Sequence, residues 1–159
     1  MRTFKGLKRE LDQNGHIDIN NVSGIYKIYL PKDFEIIIRP NTDAIEEYNG
    51  RSMLYPVEKL RDKYLRISAA ENDDKYLIYI GKADQSIGRG LQKRIEEFVK
   101  YGYKLCNNHR GGRAIWQLEN NKKLLIEYFE CDNPLQIEKE QLKKYKDKNE
   151  TYPFANWRS

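Results

Sequence analysis

Two tripeptides in this sequence place a tyrosine beside a glycine in a run typical of a β-strand, Gly24-Ile25-Tyr26 and Tyr79-Ile80-Gly81. Glycine inside a strand lets another backbone, a side chain or a ligand approach closely. A tyrosine hydroxyl can carry a proton when its pKa is lowered. Because tyrosines are common in strands and the chain has 12 of them, either tripeptide alone is weak evidence for a site.

The segment 90–100 predicts a helix with one arginine at the edge of its apolar stripe. The stripe consists of Leu91, Ile95, Phe98 and Val99, and the residues expected to point into solvent are Lys93, Glu96, Glu97 and Lys100. At the edge of the stripe, Arg94 can pack its stem on the core while its guanidinium reaches a site. That planar fork suits a phosphate that gains charge. A surface arginine paired with Glu96 or Glu97 is the alternative.

A later helix, predicted from Pro134 to about residue 148 with Asn133 as its cap, carries the candidate metal ligand. Its apolar residues at offsets −3, +4 and +7 around Glu138 are Leu135, Leu142 and Tyr145. We therefore expect Glu138 to point inward and Glu140 to face solvent. An inward carboxylate is costly unless it is paired or holds a cation. A single Mg²⁺ or Mn²⁺ ion tolerates one protein carboxylate, since it keeps waters and accepts phosphate oxygens; a salt-bridged structural glutamate is the alternative.

Positive charge is concentrated in the middle of the chain. Residues 75–115 contain nine basic and three acidic residues, whereas residues 31–74 contain seven basic and ten acidic ones; the whole chain carries a net +5. A basic surface attracts polyanions, above all nucleic-acid phosphates, although a charged run is often only a solvated face. The candidate substrate-binding residues in this stretch are Lys82, Arg89, Arg110 and Arg113.

Alternating and helical patterns predict the elements that must position these residues. Helices are expected at 4–11, 56–67, 90–100, 114–118 and 134–148, and strands at 24–30, 34–39, 75–81 and 124–131. The pattern shows no repeat and no linker. One α/β domain spanning residues 1–159 is therefore the prediction, with the aromatic tail 152–157 packed back on its body.

Taken in order, the two tripeptides, the arginine-bearing helix, the glutamate-bearing helix and the late Asn156 resemble the GIY-YIG nuclease family. The resemblance covers residues 23–30 and 76–156. It implies an α/β (α+β) fold with a small antiparallel, mainly three-stranded sheet flanked by helices. It also implies an endonuclease that uses one divalent metal ion to hydrolyse DNA phosphodiester bonds, with RNA not excluded.

The resemblance also implies a role for each candidate residue. Tyr26 would activate the attacking water with Tyr79 as its hydroxyl neighbour, Glu138 would hold the metal ion, and Asn156 would order the site by hydrogen bonds. Arg94 fits the family pattern Leu-x-x-Arg-Leu/Ile, while Arg89 lies ten residues after Tyr79, a spacing common in the family, and stays open as the alternative. Lys82 directly follows the second tripeptide and could lower a tyrosine pKa or contact the phosphate.

Two features depart from the family pattern. Phe98 stands where the family often has histidine or tyrosine, four residues after the arginine, and His109 in the basic segment 109–113 is the expected substitute. About 50 residues separate the tripeptides where the family usually has about ten, so residues 31–75 form an insertion that must fold as a strand and a helix of its own. It could contact bases, bind a partner or gate the site, and long insertions here are similar to the restriction-enzyme branch of the family.

Composition narrows the remaining possibilities. No apolar run reaches the ~18 residues that a membrane span needs, and Cys106 and Cys131 form no metal-binding spacing. A cytoplasmic protein with reduced thiols is therefore expected. Besides the nuclease, two other functions stay open: a catalytically weakened, nuclease-like module that binds nucleic acid, and a partner-binding or toxin-type protein whose specificity lies in the insertion.

Overall fold

The computed structural model describes residues 1–158, and in that range it has an α+β fold with four α-helices and a four-stranded antiparallel sheet. The helices are α1 (Phe4–Asn14), α2 (Val57–Ser68), α3 (Leu91–Tyr101) and α4 (Pro134–Asn149). The strands are β1 (Arg2–Thr3), β2 (Gly24–Tyr29), β3 (Glu47–Tyr48), β4 (Arg51–Ser52), β5 (Leu77–Ala83) and β6 (Leu125–Glu130). The structure confirms the predicted α+β class and the small antiparallel sheet flanked by helices.

The sheet has the order β1-β6-β2-β5, so the strands that carry the two tripeptides are neighbours. In the register of β2 and β5, Tyr26 lies opposite Gly81 and Ile28 lies opposite Tyr79. Since side chains alternate between the two faces of a strand, Tyr26 and Tyr79 lie on the same face. The sheet exceeds the expected three strands because the two-residue β1 pairs with the start of β6.

Each face of the sheet is covered by different helices. On the face of Tyr26, α1, α3 and the 3₁₀ helix Arg113–Gln117 build the main core around Phe4, Phe98 and Trp116. On the opposite face, Leu142 of α4 packs against Ile25 and Ile80. Burial on both sides explains why β2 and β5 are apolar at almost every position.

The C-terminal tail protects the outer edge of β5. Phe154 and Ala155 are fully buried, and the Ala155 amide donates a hydrogen bond of 2.8 Å to the Ile78 carbonyl. This backbone contact satisfies a group that an edge strand would otherwise leave open. The tail therefore packs on the body, as the aromatic composition predicted.

The insertion 31–75 contains the β3–β4 hairpin, α2 and a 3₁₀ helix at Asp73–Tyr76. The predicted strand at 34–39 is wrong: this segment is extended but forms only a single bridge, Ile38 with Leu118. Leu118 lies in the short segment between the 3₁₀ helices Arg113–Gln117 and Asn121–Lys123. Beside it, the Arg39 amide donates a hydrogen bond of 2.7 Å to the Gln117 carbonyl. With no sheet strand beside it, the β-branched run has too few backbone partners to form a ladder.

Within residues 1–158, no helix combines the length and the apolar character needed to cross a membrane.

Candidate active site

Six of the predicted site residues line one cleft of about 200 Å³ at the outer edge of β5, and two further residues complete its walls. The six are Tyr26, Tyr79, Lys82, Arg89, Arg94 and Glu138, and the two others are Asp84 and Ile87. They come from β2, β5, the turn after β5, α3 and α4. The cleft forms because α3 covers one face of the sheet and α4 the other, so their side chains meet around the strand edge.

The glycine of the second tripeptide makes room for the tyrosine of the first. Tyr26 lies across Gly81, its partner in the register, and is itself fully buried. A Cβ atom on Gly81 would come within 2.6 Å of Tyr26 Cε2 and 2.7 Å of its hydroxyl oxygen. Both distances are far shorter than a van der Waals contact, so any side chain at position 81 would displace the Tyr26 ring.

His109 supplies the imidazole that was expected to be missing at Phe98. The Tyr26 hydroxyl oxygen lies 2.6 Å from His109 Nε2. The His109 ring is fully buried and lies flat on Phe98, with ring centroids 3.8 Å apart and an interplanar angle of 6°. The phenyl ring therefore serves as the surface on which the imidazole is held.

Burial determines the protonation of this pair. It lowers the pKa of His109 well below 6.5, with the charge of Arg94 acting in the same direction, so the imidazole is neutral at pH 7. Burial also raises the pKa of Tyr26, against the opposing effect of Arg94, and it raises the pKa of Tyr79. Tyr26 is thus a protonated hydroxyl that can donate to Nε2 when the imidazole carries its own proton on Nδ1.

Burial therefore opposes the lowered tyrosine pKa, helped by Lys82, that the sequence suggested. The hydroxyl groups of Tyr26 and Tyr79 are buried, and a tyrosinate is poorly solvated there. The charge of Lys82 instead acts on Glu138, whose pKa it lowers against the larger effect of burial. His109 is the group in hydrogen-bond contact with the Tyr26 hydroxyl.

A buried glutamate holds both candidate arginines in the cleft. Glu97 accepts from Arg94 Nη1 at 3.4 Å through one carboxylate oxygen and from Arg89 Nη2 at 3.2 Å through the other. Arg94 also donates to the Asn108 carbonyl at 3.2 Å, and its side chain is only 16% exposed against 40% for Arg89. Both arginines therefore stay candidates for contact with a phosphate, and Arg94 is the more firmly held.

The prediction that Glu97 points into solvent is wrong, since only 7% of its surface is exposed. The helical pattern identifies one buried face of α3, but the loop after α3 folds back and covers a second one. Cys106 in this loop donates a hydrogen bond from its thiol to the Glu97 carbonyl. Glu97 follows Arg94 by three residues, and this spacing is the sequence signal for their pairing, which was the alternative given for Arg94.

Glu138 projects toward the cleft and is half-buried, whereas Glu140 is exposed, as expected. Burial raises the pKa of Glu138, and the charges of Lys82, Arg94 and Lys139 oppose that shift. Within residues 1–158 the Glu138 carboxylate has no hydrogen-bond donor. A half-buried carboxylate without such a donor is available to bind a cation.

The reasoning that placed Glu138 inward was wrong at one point, because Leu135 is 48% exposed. The second half of α4 meets the rest of the protein through the buried Leu142 and Tyr145. In the first turn, Pro134 is buried and Ile137 packs against the same cluster as Leu142, so Leu135 lies off the buried side of the helix. Asn133 also makes no side-chain capping bond, so Pro134 at the first turn is the feature that marks the start of the helix.

The cleft offers few carboxylate donors for a metal ion. In the range 1–158 no group of three or more His, Cys, Asp or Glu residues converges as metal ligands. Asp84, the second carboxylate of the cleft, is already bonded to the Ser86 amide at 3.0 Å and hydroxyl at 2.6 Å. Glu138 alone does not fit a zinc centre, but it fits a hard ion such as Mg²⁺ or Mn²⁺ that takes its other ligands from water and substrate.

Asn156 holds the strand that carries the second tripeptide. Its side-chain oxygen accepts from the Ile80 amide and its side-chain nitrogen donates to the Ile80 carbonyl, each at 2.9 Å. These two bonds lock the backbone between Tyr79 and Gly81. The backbone carbonyl of Asn156 accepts a hydrogen bond from the buried Lys63 of α2, so the insertion is connected to the site through the tail.

Arg110 and Arg113 lie outside the first cleft and pack against the insertion. The Arg110 guanidinium lies 4.1 Å above the Tyr48 ring and donates to the Asn107 carbonyl at 2.7 Å. Arg113 donates to the Met53 carbonyl at 3.0 Å and lies 4.5 Å above the Tyr55 ring. Arg113 does reach a neighbouring cleft that shares walls with the first.

In comparisons with known proteins, no family model, no curated protein and no solved structure matched this chain. The fold and the site define an α+β protein whose basic cleft is lined by Tyr26, which is hydrogen-bonded to the buried His109, and by Glu138, which has no hydrogen-bond donor within residues 1–158.

Proposed function

We propose that this protein is a metal-dependent endonuclease of the GIY-YIG type that hydrolyses DNA phosphodiester bonds. The observation that carries the proposal is that Tyr26 lines one cleft together with Arg94 and Glu138 and is hydrogen-bonded to the buried His109 behind it. The order of the two tripeptides along the chain and their pairing in the sheet support the same assignment.

The chemistry follows from the protonation states. Water attacks phosphorus and gives a proton to the Tyr26 oxygen, while the Tyr26 proton passes to His109 Nε2, so no free tyrosinate accumulates. As the water oxygen forms its bond to phosphorus, the bond to the leaving oxygen breaks and that oxygen takes a proton from solvent. His109 then returns its proton through Tyr26.

The charged residues of the cleft stabilise what develops at phosphorus. The Arg94 guanidinium can donate to two equatorial oxygens at once, and its position is held by Glu97. Arg89 and Lys82 add positive charge on the same side. A divalent ion held by Glu138 would supply stabilisation of the negative charge on the leaving oxygen.

His109 also bears on the alternative of a weakened nuclease that only binds nucleic acid. That alternative depended on the missing imidazole at Phe98. Because His109 fills the space beside Tyr26 and is neutral at pH 7, the hydrolase is the better-supported function.

Cleavage of supercoiled plasmid DNA with Mg²⁺ or Mn²⁺ tests the proposal. We expect nicked or linear product from the unaltered protein and its loss in Glu138→Ala and in Arg94→Ala. Glu140→Ala is the matched control, since Glu140 lies on the same helix but is exposed. Unchanged cleavage in both cleft variants would refute the assignment.

A further inference from the structure

A second cleft of about 410 Å³ lies directly beside the first. Tyr79 and Glu138 line both clefts, so a ligand held at Glu138 in the first continues into the second without leaving the protein surface. Its volume falls in the range of pockets that bind small molecules, roughly 300–1,000 Å³. The walls specific to the second cleft include Tyr55, Gly111, Arg113, Trp157 and Arg158.

The second cleft combines a rigid aromatic wall with positive charge. Tyr55 of the insertion and Trp157 of the tail are stacked, with ring centroids 4.6 Å apart and an interplanar angle of 20°. Arg113 covers the Tyr55 side of this pair at 4.5 Å, and Lys63 covers the Trp157 side at 3.8 Å. The outer ring faces of the stack are thus covered by the Arg113 guanidinium and the Lys63 amine, so a ligand meets the ring edges.

The polar groups of this cleft favour an anionic ligand with an apolar part. Glu138, shared with the first cleft, is the one acidic residue that lines it among the described residues, against the cations of Arg113 and Arg158. The indole N–H of Trp157 is buried and has no acceptor within residues 1–158, which leaves a hydrogen-bond donor unused. A nucleotide has the matching parts: a phosphate for the cations, and a base whose face can pack on the ring edges in an edge-to-face contact.

We propose that the second cleft binds the nucleotide next to the phosphate that is cleaved. This inference rests on the proposed function, since it assumes a phosphate in the first cleft. A strand that passes over Glu138 must place one neighbouring nucleotide on the side of the second cleft, where Tyr55 supplies the wall and Arg113 and Arg158 the charge. The insertion thereby contributes one wall of the substrate site through Tyr55.

Calorimetric titration with deoxythymidine 3′,5′-bisphosphate and with inorganic phosphate tests this subsite without requiring turnover. The unaltered protein should bind the nucleoside bisphosphate at least about tenfold more tightly, a ratio that corresponds to about 1.4 kcal/mol. Tyr55→Ala should remove this preference and leave the affinity for inorganic phosphate unchanged. Tyr48→Ala is the matched control, because Tyr48 also stacks under an arginine of the insertion contact but lines neither cleft.

Arg158→Ala is the second variant, and it decides the test if Tyr55→Ala does not fold, because Arg158 is exposed. It should weaken nucleotide binding several-fold. Equal affinity for both ligands in the unaltered protein, or an unchanged preference in Tyr55→Ala and Arg158→Ala, would overturn the subsite. Plasmid cleavage without this preference would contradict the subsite alone, whereas the preference without cleavage would contradict the hydrolase alone.

Discussion

The Tyr26 hydroxyl oxygen and His109 Nε2 lie 2.6 Å apart although 83 positions separate the two residues in the chain. Both side chains are fully buried, and the pair lies next to Arg94 at the inner end of a basic cleft. Under the proposed function, the neutral imidazole accepts the Tyr26 proton and returns it through Tyr26, since His109 itself is fully buried.

Removing the Tyr26 hydroxyl or the His109 imidazole should strongly slow catalysis without unfolding the protein. Tyr26→Phe and His109→Phe keep the rings that pack on Phe98, and each should lower the cleavage rate roughly 10²–10⁴-fold, the contribution expected of a general base. Plasmid cleavage measures the effect, and circular dichroism checks the fold. Wild-type rates in both variants would exclude the pair from the reaction.

The His109 pKa also predicts acid sensitivity of the fold. Because its folded pKa lies well below 6.5, the unfolded chain binds the proton first as pH falls, so the free energy of unfolding decreases below about pH 6.5. His109→Phe should reduce this acid loss. Urea titrations at pH 7 and pH 5 measure it, and an equal loss in both proteins would contradict the prediction.

Gly81→Ala should destabilise the protein and disturb the cleft together. The added methyl group would overlap the Tyr26 ring, and overpacking of this kind costs about 1–3 kcal/mol. Thermal unfolding and plasmid cleavage give the two readouts. Gly111→Ala is the control, because its new methyl group would meet Tyr79 at an ordinary 3.5 Å; similar unfolding temperatures for both variants would show that position 81 has room for a side chain.

Glu97→Gln should weaken the binding of Arg94 and Arg89 and leave the Tyr26–His109 pair unchanged. The amide keeps the size of the side chain but loses the charge that binds Arg94 and Arg89. We expect a cleavage rate about tenfold lower or less, since the amide oxygen can still accept one hydrogen bond, with the same pH dependence as the unaltered protein. A changed pH profile would place Glu97 in proton transfer instead.

Lys63 should make stability rise with pH. Burial lowers the pKa of Lys63 to about 7, with the charge of Lys59 acting in the same direction, against 10.5 in an unperturbed lysine. Above pH 7 the unfolded chain therefore binds the additional proton, so the free energy of unfolding increases, by at most about 1.4 kcal/mol per pH unit. Asp62 and Arg66 line the same surface hollow.

Denaturant unfolding between pH 7 and pH 9 compares the unaltered protein with Lys63→Met. The variant should lose most of the slope; at pH 7, the removal of a buried amine is opposed by the loss of its hydrogen bond to the Asn156 carbonyl. Lys59→Met, at an exposed position of the same helix, should keep the slope but shift its start to a somewhat higher pH, because a charge that lowers the Lys63 pKa is removed. A slope that survives in Lys63→Met would show that another group titrates.

Local patterns predicted most of the elements because burial is periodic along each of them. The apolar stripe of α3 is fully buried at Leu91, Ile95 and Phe98, and the choice of Glu138 over Glu140 agrees with their exposure. The strand predicted at 34–39 failed for a non-local reason. A β-branched run becomes a strand only when a partner strand lies beside it, and here the neighbour is a short irregular segment.

The sequence by itself determined which groups are available: two tyrosines in strands, glycines beside them, two arginines in or near α3, a carboxylate on α4 and a histidine in the basic segment 109–113. Only the tertiary structure decided that His109 meets Tyr26, that Glu97 is buried between two arginines, and that the tyrosine pKa values rise. These properties depend on which distant side chains exclude water from a group, and the chain path through the core, not the local spacing, sets that arrangement.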